Sequence, residues 1–289
     1  MAKRILQIDV ILLTKNSEPT LEKCLDSIFE NIPIRRVIIV DGFSTDGTLD
    51  ILQRYHEKYH NIVVIFDKGT KATGRQKGIE LVNTEWFMFV DSDVILCKDW
   101  FKKAEKLITP EVGAVWGMNF DITGKGKGWI KWSKIGRGPS FSDIQFEQFK
   151  VRGGCHDILI RTEAAKGIKI PSDLNVYEDA YIKRYIEKRG WRVLATKDPF
   201  CIHDRSAFHP SVNNVIERVS LEAKYGSLIH NASSHLLRNL LLAPIKASLL
   251  YLTSRNTEAA KEHLQMYYYI FLGHLIARAR GGKLVENLG

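Results

Sequence analysis

Apolar residues come in two rhythms along the first part of the chain. Unbroken runs at Val10–Leu13 (with Ile8 before them across Asp9), Val37–Val40, Ile62–Phe66 and Trp86–Val90 predict buried strands. Between them, Leu21, Cys24, Leu25 and Ile28 recur at helical spacing. Further helices are expected over Leu49–Tyr59 and near Gln76–Val82. Alternating strands and helices predict parallel pairing and a doubly wound α/β sheet. The loops that follow the strands then share one edge, where open α/β sheets bind ligands. Those loops carry Asn16, Asp41, Arg75, Asp91 and Asp93.

Asp91-Ser92-Asp93 ends the apolar run Trp86–Val90, and Val94 and Ile95 continue it. Carboxylates at i and i+2 are hard oxygen ligands suited to Mg²⁺ or Mn²⁺, ions that commonly sit between carboxylates and a phosphate. The plainer alternative is a turn in which Asp93 caps a helix near Lys98-Asp99-Trp100. Arg75 stands near a helix start beside Lys71 and Lys77, where cations and free backbone N–H groups suit a diphosphate. Asp41 precedes Gly42 and reads equally as a turn residue, and Asp46 as a helix cap. Glu178 and Asp179 open an amphipathic helix with Ile182, Tyr185 and Ile186. The helix dipole favours carboxylates there whether or not they do chemistry. His203 follows the short piece Pro199-Phe200-Cys201-Ile202, and Gly153-Gly154 offers a close backbone approach or a plain turn.

A net charge of +9 points to phosphate-bearing partners. Cys24, Cys97, Cys155 and Cys201 are scattered, which speaks against a zinc site or a disulfide framework and suggests a reducing compartment. Met1-Ala2-Lys3-Arg4 leads straight into a strand, so no secretory leader is expected. Lys125, Lys127, Lys131 and Lys134 interleave with glycines and with Trp129 and Trp132. This reads as a loop for an acceptor phosphate or a membrane interface, or as a solvated loop. After about Ser206 strand signals stop. Leu236–Leu252 is apolar but short for a membrane span. His235, Asn239 and Lys246 fall within about 40° of one another on its helical wheel. Tyr267, Tyr268, Tyr269 and Phe271 precede Arg278, Arg280 and Lys283, a pairing that suits a bilayer surface. A soluble helical subdomain is the alternative.

Four motifs together resemble the inverting family-2 glycosyltransferases of GT-A fold. They are Leu13-Thr14-Lys15-Asn16-Ser17-Glu18 followed by Leu21-Glu22-Lys23-Cys24-Leu25-Asp26-Ser27-Ile28, then Val40-Asp41-Gly42-Phe43-Ser44-Thr45-Asp46-Gly47-Thr48. Asp91-Ser92-Asp93 is the third, and Tyr177-Glu178-Asp179-Ala180 ahead of Lys188-Arg189-Gly190-Trp191 the fourth. The resemblance implies a GT-A catalytic domain over residues 1–205 and a C-terminal helical appendage over 206–289. It implies a nucleoside-diphosphate sugar donor, UDP- or GDP-linked, held by Thr14, Asn16, Glu18, Asp41, Arg75 and Asp91. It implies Mn²⁺ or Mg²⁺ on Asp91, Asp93 and His203. Asp179 would be the general base toward an acceptor hydroxyl, with Glu178 touching acceptor or sugar. The expected acceptor is a glycan or lipid-linked. The expected location is cytoplasmic, peripheral on the membrane face, with no nucleic-acid partner and a homo-oligomer left open.

The chain departs from relatives in two places. Leu13 and Lys15 replace a proline and a base-stacking tyrosine, and Ile95 stands where lipid-phosphate mannosyl enzymes carry a metal-binding glutamine. Three rivals remain: a polyprenyl-phosphate sugar synthase, a nucleotidyltransferase, and a non-catalytic membrane-peripheral binding protein. The nucleotidyltransferase lacks its Gly-rich, Arg-bearing loop between Thr14 and Thr20.

Overall fold

A computed structural model describes residues 6–121, 154–204, 236–255 and 257–279, with 217, 221, 224 and 225 as single positions. Met1–Phe120 with Gly153–Asp204 form one compact unit, and Asp121–Arg152 with Arg205–Gly289 a second. The lysine–tryptophan loop, Gly153, His235, Arg280 and Lys283 lie outside the described residues.

The first unit is built on β1 (Ile8–Thr14), β2 (Ile34–Asp41), β3 (Ile62–Phe66), β4 (Trp86–Asp91), β5 (Val94–Leu96), β6 (Val112–Asp121), β7 (Asp157–Arg161) and β8 (Arg192–His203). They form one sheet in the order β3-β2-β1-β4-β7-β6-β8-β5. The first four pair in parallel, as the alternating pattern predicts. β7 then runs antiparallel to β4 and β6. Val94 and Ile95 do not extend β4. The chain turns at Ser92-Asp93, and β5 pairs antiparallel with β8 at the far edge. Ser17 and Ser92 hold that turn through their hydroxyls, 2.8 Å apart, and Thr20 Oγ1 donates to the Ser92 carbonyl at 2.9 Å.

The helices are α1 (Glu18–Asn31), α2 (Thr48–Tyr59), α3 (Lys71–Leu81), α4 (Trp100–Glu105), α5 (Thr162–Ala165) and α6 (Glu178–Lys188). α1 buries Leu21, Cys24, Leu25 and Ile28 against the sheet, the stripe its spacing foretold. α3 has almost no apolar stripe and packs instead by closeness. A Cβ on Gly74 would lie 2.4 Å from Leu13 Cδ2, and one on Gly78 2.4 Å from Ile11 Cγ2. Two glycines one turn apart therefore let the α3 backbone sit on β1. At the opposite end of β1, Asp9 is buried and pinned by Arg35 and Arg36 at 3.3 Å and by the Asn83 N–H at 2.7 Å. That strand carboxylate is a structural ion pair.

In the second unit, α7 (Leu236–Ser254) and α8 (Thr257–Ala279) pack along each other. Lys246 Nζ sits 5.6 Å from the centroid of the Tyr267 ring. Ala243 and Ala247 are buried, while Leu241, Ile245, Leu249 and Leu252 are exposed along one stripe. Among the described residues no helix is long and apolar enough to cross a membrane.

Candidate active site

The carboxyl ends of β1 and β2 are stitched together by short polar side chains. Asp41 is fully buried and accepts from Thr14 Oγ1, Ser44 N and Ser44 Oγ, each at 2.7 Å. Asn16 Oδ1 accepts from Thr45 N at 2.8 Å, and Asn16 N donates to Ser44 Oγ at 2.9 Å. Glu18 Oε2 accepts from Gly47 N at 2.9 Å, and Glu18 N donates to Asp46 Oδ2 at 3.2 Å. Thr14, Asn16, Glu18 and Asp41 thus come together as a hydrogen-bonded lock between two loops. Asp46 Oδ1 also accepts from Thr48 N at 3.1 Å, beside the start of α2.

Arg75 is the hub of the next cluster. The close packing of α3 on β1 carries its guanidinium to the edge of the sheet, where it is only 3% exposed. Nη2 donates to Asp91 Oδ1 at 2.9 Å and Nε to Glu178 Oε1 at 3.1 Å, and the group lies 4.9 Å from the Phe89 ring centroid. Nη1 has no hydrogen-bond partner among the described residues, so the two carboxylates do not exhaust the guanidinium's donors. Burial works against its charge, but Cys155, Asp91 and Glu178 around it raise its pKa above the ordinary value. Burial also pushes Asp91 up, yet Arg75, then Lys71 and His203, bring its carboxyl well below the usual range. Glu178 goes the other way: burial pushes it up and outweighs the pull of Arg75. Cys155 is buried beside these charges and its thiol is pushed well above its ordinary value, so it stays neutral.

Side-chain bonds tie α3 to the segment that leads into α6. Thr70 Oγ1 donates to the Ser172 carbonyl at 2.6 Å, Lys71 N to Asn175 Oδ1 at 3.3 Å, and Ile170 N to Gln76 Oε1 at 3.1 Å. Tyr177, at φ +70°, turns the chain into the helix. Asp179 follows in the first turn, partly exposed, with Oδ1 accepting from Ala180 N at 2.7 Å.

The third cluster comes from strand register. Val94 pairs with His203 across β5 and β8, which sets His203 Nε2 3.0 Å from Asp93 Oδ2. Asn119 Nδ2 lies 3.3 Å from His203 Nδ1. Asp93 and His203 therefore meet, while Asp91 turns to Arg75 with its side chain still 31% exposed. Asp93 and His203 bring together one carboxylate and one imidazole, donors of the kind Mn²⁺ or Mg²⁺ accepts, but Asp91, held by Arg75, does not join them in a single set of close donor atoms.

A fourth cluster escaped the sequence reading. His156 Nδ1 and Asp157 Oδ1 are 2.5 Å apart, Trp100 Nε1 donates to Asp157 Oδ2 at 2.8 Å, and Cys201 Sγ lies 3.5 Å from His156 Nδ1. His156, Asp157 and Cys201 have donor atoms within 4.8 Å of one another and are all buried. Burial pushes the Cys201 thiol well above its ordinary value. Trp100 already occupies one oxygen of the carboxylate in this buried network. The signal was available: Cys155-His156-Asp157 abuts Ile158-Leu159-Ile160 as Asp91 abuts its own apolar run.

The family model described as "Glycosyl transferase family 2" matches residues 9–216. The chain belongs to that family. A poly(ribitol-phosphate) beta-glucosyltransferase of Bacillus spizizenii is 36% identical over 94 residues, 30% of this chain and 15% of that protein. A putative teichuronic acid biosynthesis glycosyltransferase, TuaG of Bacillus subtilis, is 33% identical over 99 residues, 33% of this chain and 39% of that protein. The matched segments span well under half of these curated relatives. Among solved structures, a mannosyltransferase of Pyrobaculum calidifontis in complex with GDP-Man and Mn²⁺ superposes with a TM-score of 0.65 at 17% identity, covering 96% of this chain and 88% of that one. TarS of Staphylococcus aureus in complex with UDP-GlcNAc gives 0.58 at 20% identity, covering 93% and 79%. The likeness to these structures is one of fold, the mixed GT-A sheet with flanking helices.

Proposed function

We propose that this chain is a metal-dependent, inverting glycosyltransferase that moves a sugar from a nucleoside-diphosphate sugar to an acceptor hydroxyl. The observation that carries the reading is the grouping of Arg75, Asp91, the Asp93–His203 pair and the Asp179 helix start at the loops around the carboxyl ends of the parallel strands. Names of relatives and of solved neighbours support it, since they include glucosyl- and mannosyltransferases and complexes with UDP-GlcNAc and with GDP-Man and Mn²⁺.

Each group has a role in this reading. Asp179 takes the proton of the acceptor hydroxyl, a step worth roughly 10²–10⁴ in rate. The acceptor oxygen attacks the anomeric carbon opposite the diphosphate, and the bond from that carbon to the phosphate oxygen breaks. Arg75 and Lys71 give the departing nucleoside diphosphate a cationic surround. Asp91, Asp93 and His203 would hold the divalent cation, which when bound supplies Lewis-acid stabilisation of that leaving group. Glu178 keeps Arg75 in place through its 3.1 Å contact.

The exposed apolar stripe on α7 supports contact with a membrane surface and a lipid-linked or glycan acceptor. The test is a thermal-shift series with UDP, GDP and their sugars, with and without Mn²⁺. Stabilisation is expected only with nucleotide and Mn²⁺ together. Asp93→Ala should lose it, and Asp179→Asn should keep it but lose transfer. No shift with any nucleotide would overturn the reading. Undiminished transfer by Asp179→Asn to a lipid phosphate would favour the polyprenyl-phosphate synthase instead.

A further inference from the structure

Two aromatic rings stand bare on the same edge of the sheet. Phe43 is 46% exposed and Phe66 47%, with ring centroids 5.3 Å apart at 43°. Isolated exposed aromatics are ordinary, but these touch each other and sit where ligands of such sheets bind. Phe66 ends β3 in register with Asp41, and the Asp67 N–H donates to the Asp41 carbonyl at 3.0 Å. Phe43 follows Asp41 by two residues. Its φ of +61° is a left-handed backbone that costs any residue with a Cβ, and such positions persist only where neighbours enforce them. The enforcer is Asp41, whose carboxylate grips both the backbone and the hydroxyl of Ser44. Asp41 is thus committed to holding up Phe43.

We propose that Phe43 and Phe66 form the platform on which the donor's nucleobase stacks, in place of the tyrosine that Lys15 replaces. The proposal rests on the nucleoside-diphosphate reading above. Lys68 stands over the Phe43 ring face, which an incoming base would take by displacing that flexible side chain, and the Lys15 stem lies alongside. Lys68 Nζ lies 4.8 Å from the Phe43 ring centroid, and the Lys15 stem runs so close to Gly42 that a Cβ there would lie 3.1 Å from Lys15 Cδ. A stacking surface reads any π-face, so it supplies affinity with little choice between bases.

Calorimetric titration in Mn²⁺ compares UDP, GDP and inorganic pyrophosphate, which has no base, against wild type, Phe43→Gly and Phe66→Ala. Glycine suits the left-handed position, so Phe43→Gly should melt at or above the wild-type temperature and keep the fold. Both variants should bind UDP and GDP roughly tenfold more weakly, the order expected for one lost stacking partner, and bind pyrophosphate as wild type does. Wild-type affinity for UDP and GDP in both variants would overturn the platform while leaving the donor reading standing. An equal loss for pyrophosphate would also overturn it, since the loop and not the stack would then be at fault. Failure of wild type itself to bind either nucleotide would overturn both.

Discussion

Replacing Arg75 with Met tests whether the guanidinium is the electrostatic hinge of the site. Methionine fills the space of the stem, so the change is chiefly one of charge. Glu178 is left buried without its 3.1 Å partner, and removing one member of a buried pair costs roughly 3–5 kcal/mol. Asp91 loses its 2.9 Å partner too, but its partial exposure makes that share small. The cost must depend on pH. Glu178 already sits above the ordinary glutamate range, and without Arg75 it rises further. A carboxyl raised in the folded state binds more protons there than in the unfolded chain, so stability falls as pH climbs from the ordinary glutamate range through the raised value. Asp91, held below its ordinary range, gives stability that is present above that range and lost as pH falls below it. The variant forfeits this as well. Both contributions widen its deficit as pH rises. Urea unfolding should show a deficit of roughly 3–5 kcal/mol at pH 8 and at least about 1 kcal/mol less at pH 5. Adding Glu178→Gln should recover a sizeable part at pH 8, because the stranded charge is gone. A deficit equal at both pH values, with no recovery in the double variant, would refute the argument.

Three further outcomes follow from the packing. Gly78→Ala places a methyl 2.4 Å from Ile11 Cγ2 and should cost about 1–3 kcal/mol in urea unfolding. Because Arg75 rides on the same helix, donor affinity should fall with it. Trp100→Phe strips Asp157 Oδ2 of its 2.8 Å donor inside the core and should cost roughly 1–3 kcal/mol. The same variant should leave Mn²⁺-dependent nucleotide binding intact if the His156–Asp157–Cys201 group is structural. Burial raises the thiols of Cys24, Cys97, Cys155 and Cys201, so a thiol reagent at pH 8 should label the native protein slowly and the urea-unfolded protein at once.

Much of the parallel half of the sheet was legible because each element carried its own period. Val10–Leu13 and Val37–Val40 announced strands with both faces covered, and Leu21–Ile28 announced a helix with one. α3 was harder, since its contact with β1 is made by missing side chains, and glycine contributes nothing to a hydrophobic pattern. β5 was misread as the tail of β4 because composition does not say where a polar triplet bends the chain. The reversal of β7 left no mark in Ile158-Leu159-Ile160, a run that either direction would accept. For the site, the motifs named the residues but not their partners. Nothing in the spacing of Arg75 and Glu178, 103 positions apart, predicts the contact.

The strand carboxylates show how burial sorts acidic residues that look alike in sequence. Asp9, Asp91 and Asp157 all adjoin apolar runs. Asp9 is sealed between two arginines at the amino end of the parallel strands, away from the edge that binds ligands. Asp157 is sealed by an indole and an imidazole. Both are fully buried with each oxygen hydrogen-bonded, so a ligand from solvent could reach either only by opening the core. Asp91 and Asp93 retain side-chain exposures of 31% and 39%, and Asp179 is likewise partly open. An acidic group that is anchored on one side and wet on the other can exchange water for a cation or a hydroxyl proton at little cost. That criterion favours the proposed roles of Asp91, Asp93 and Asp179 in the chemistry, and it favours for Glu178, dry and bound to Arg75, a role in holding that arginine.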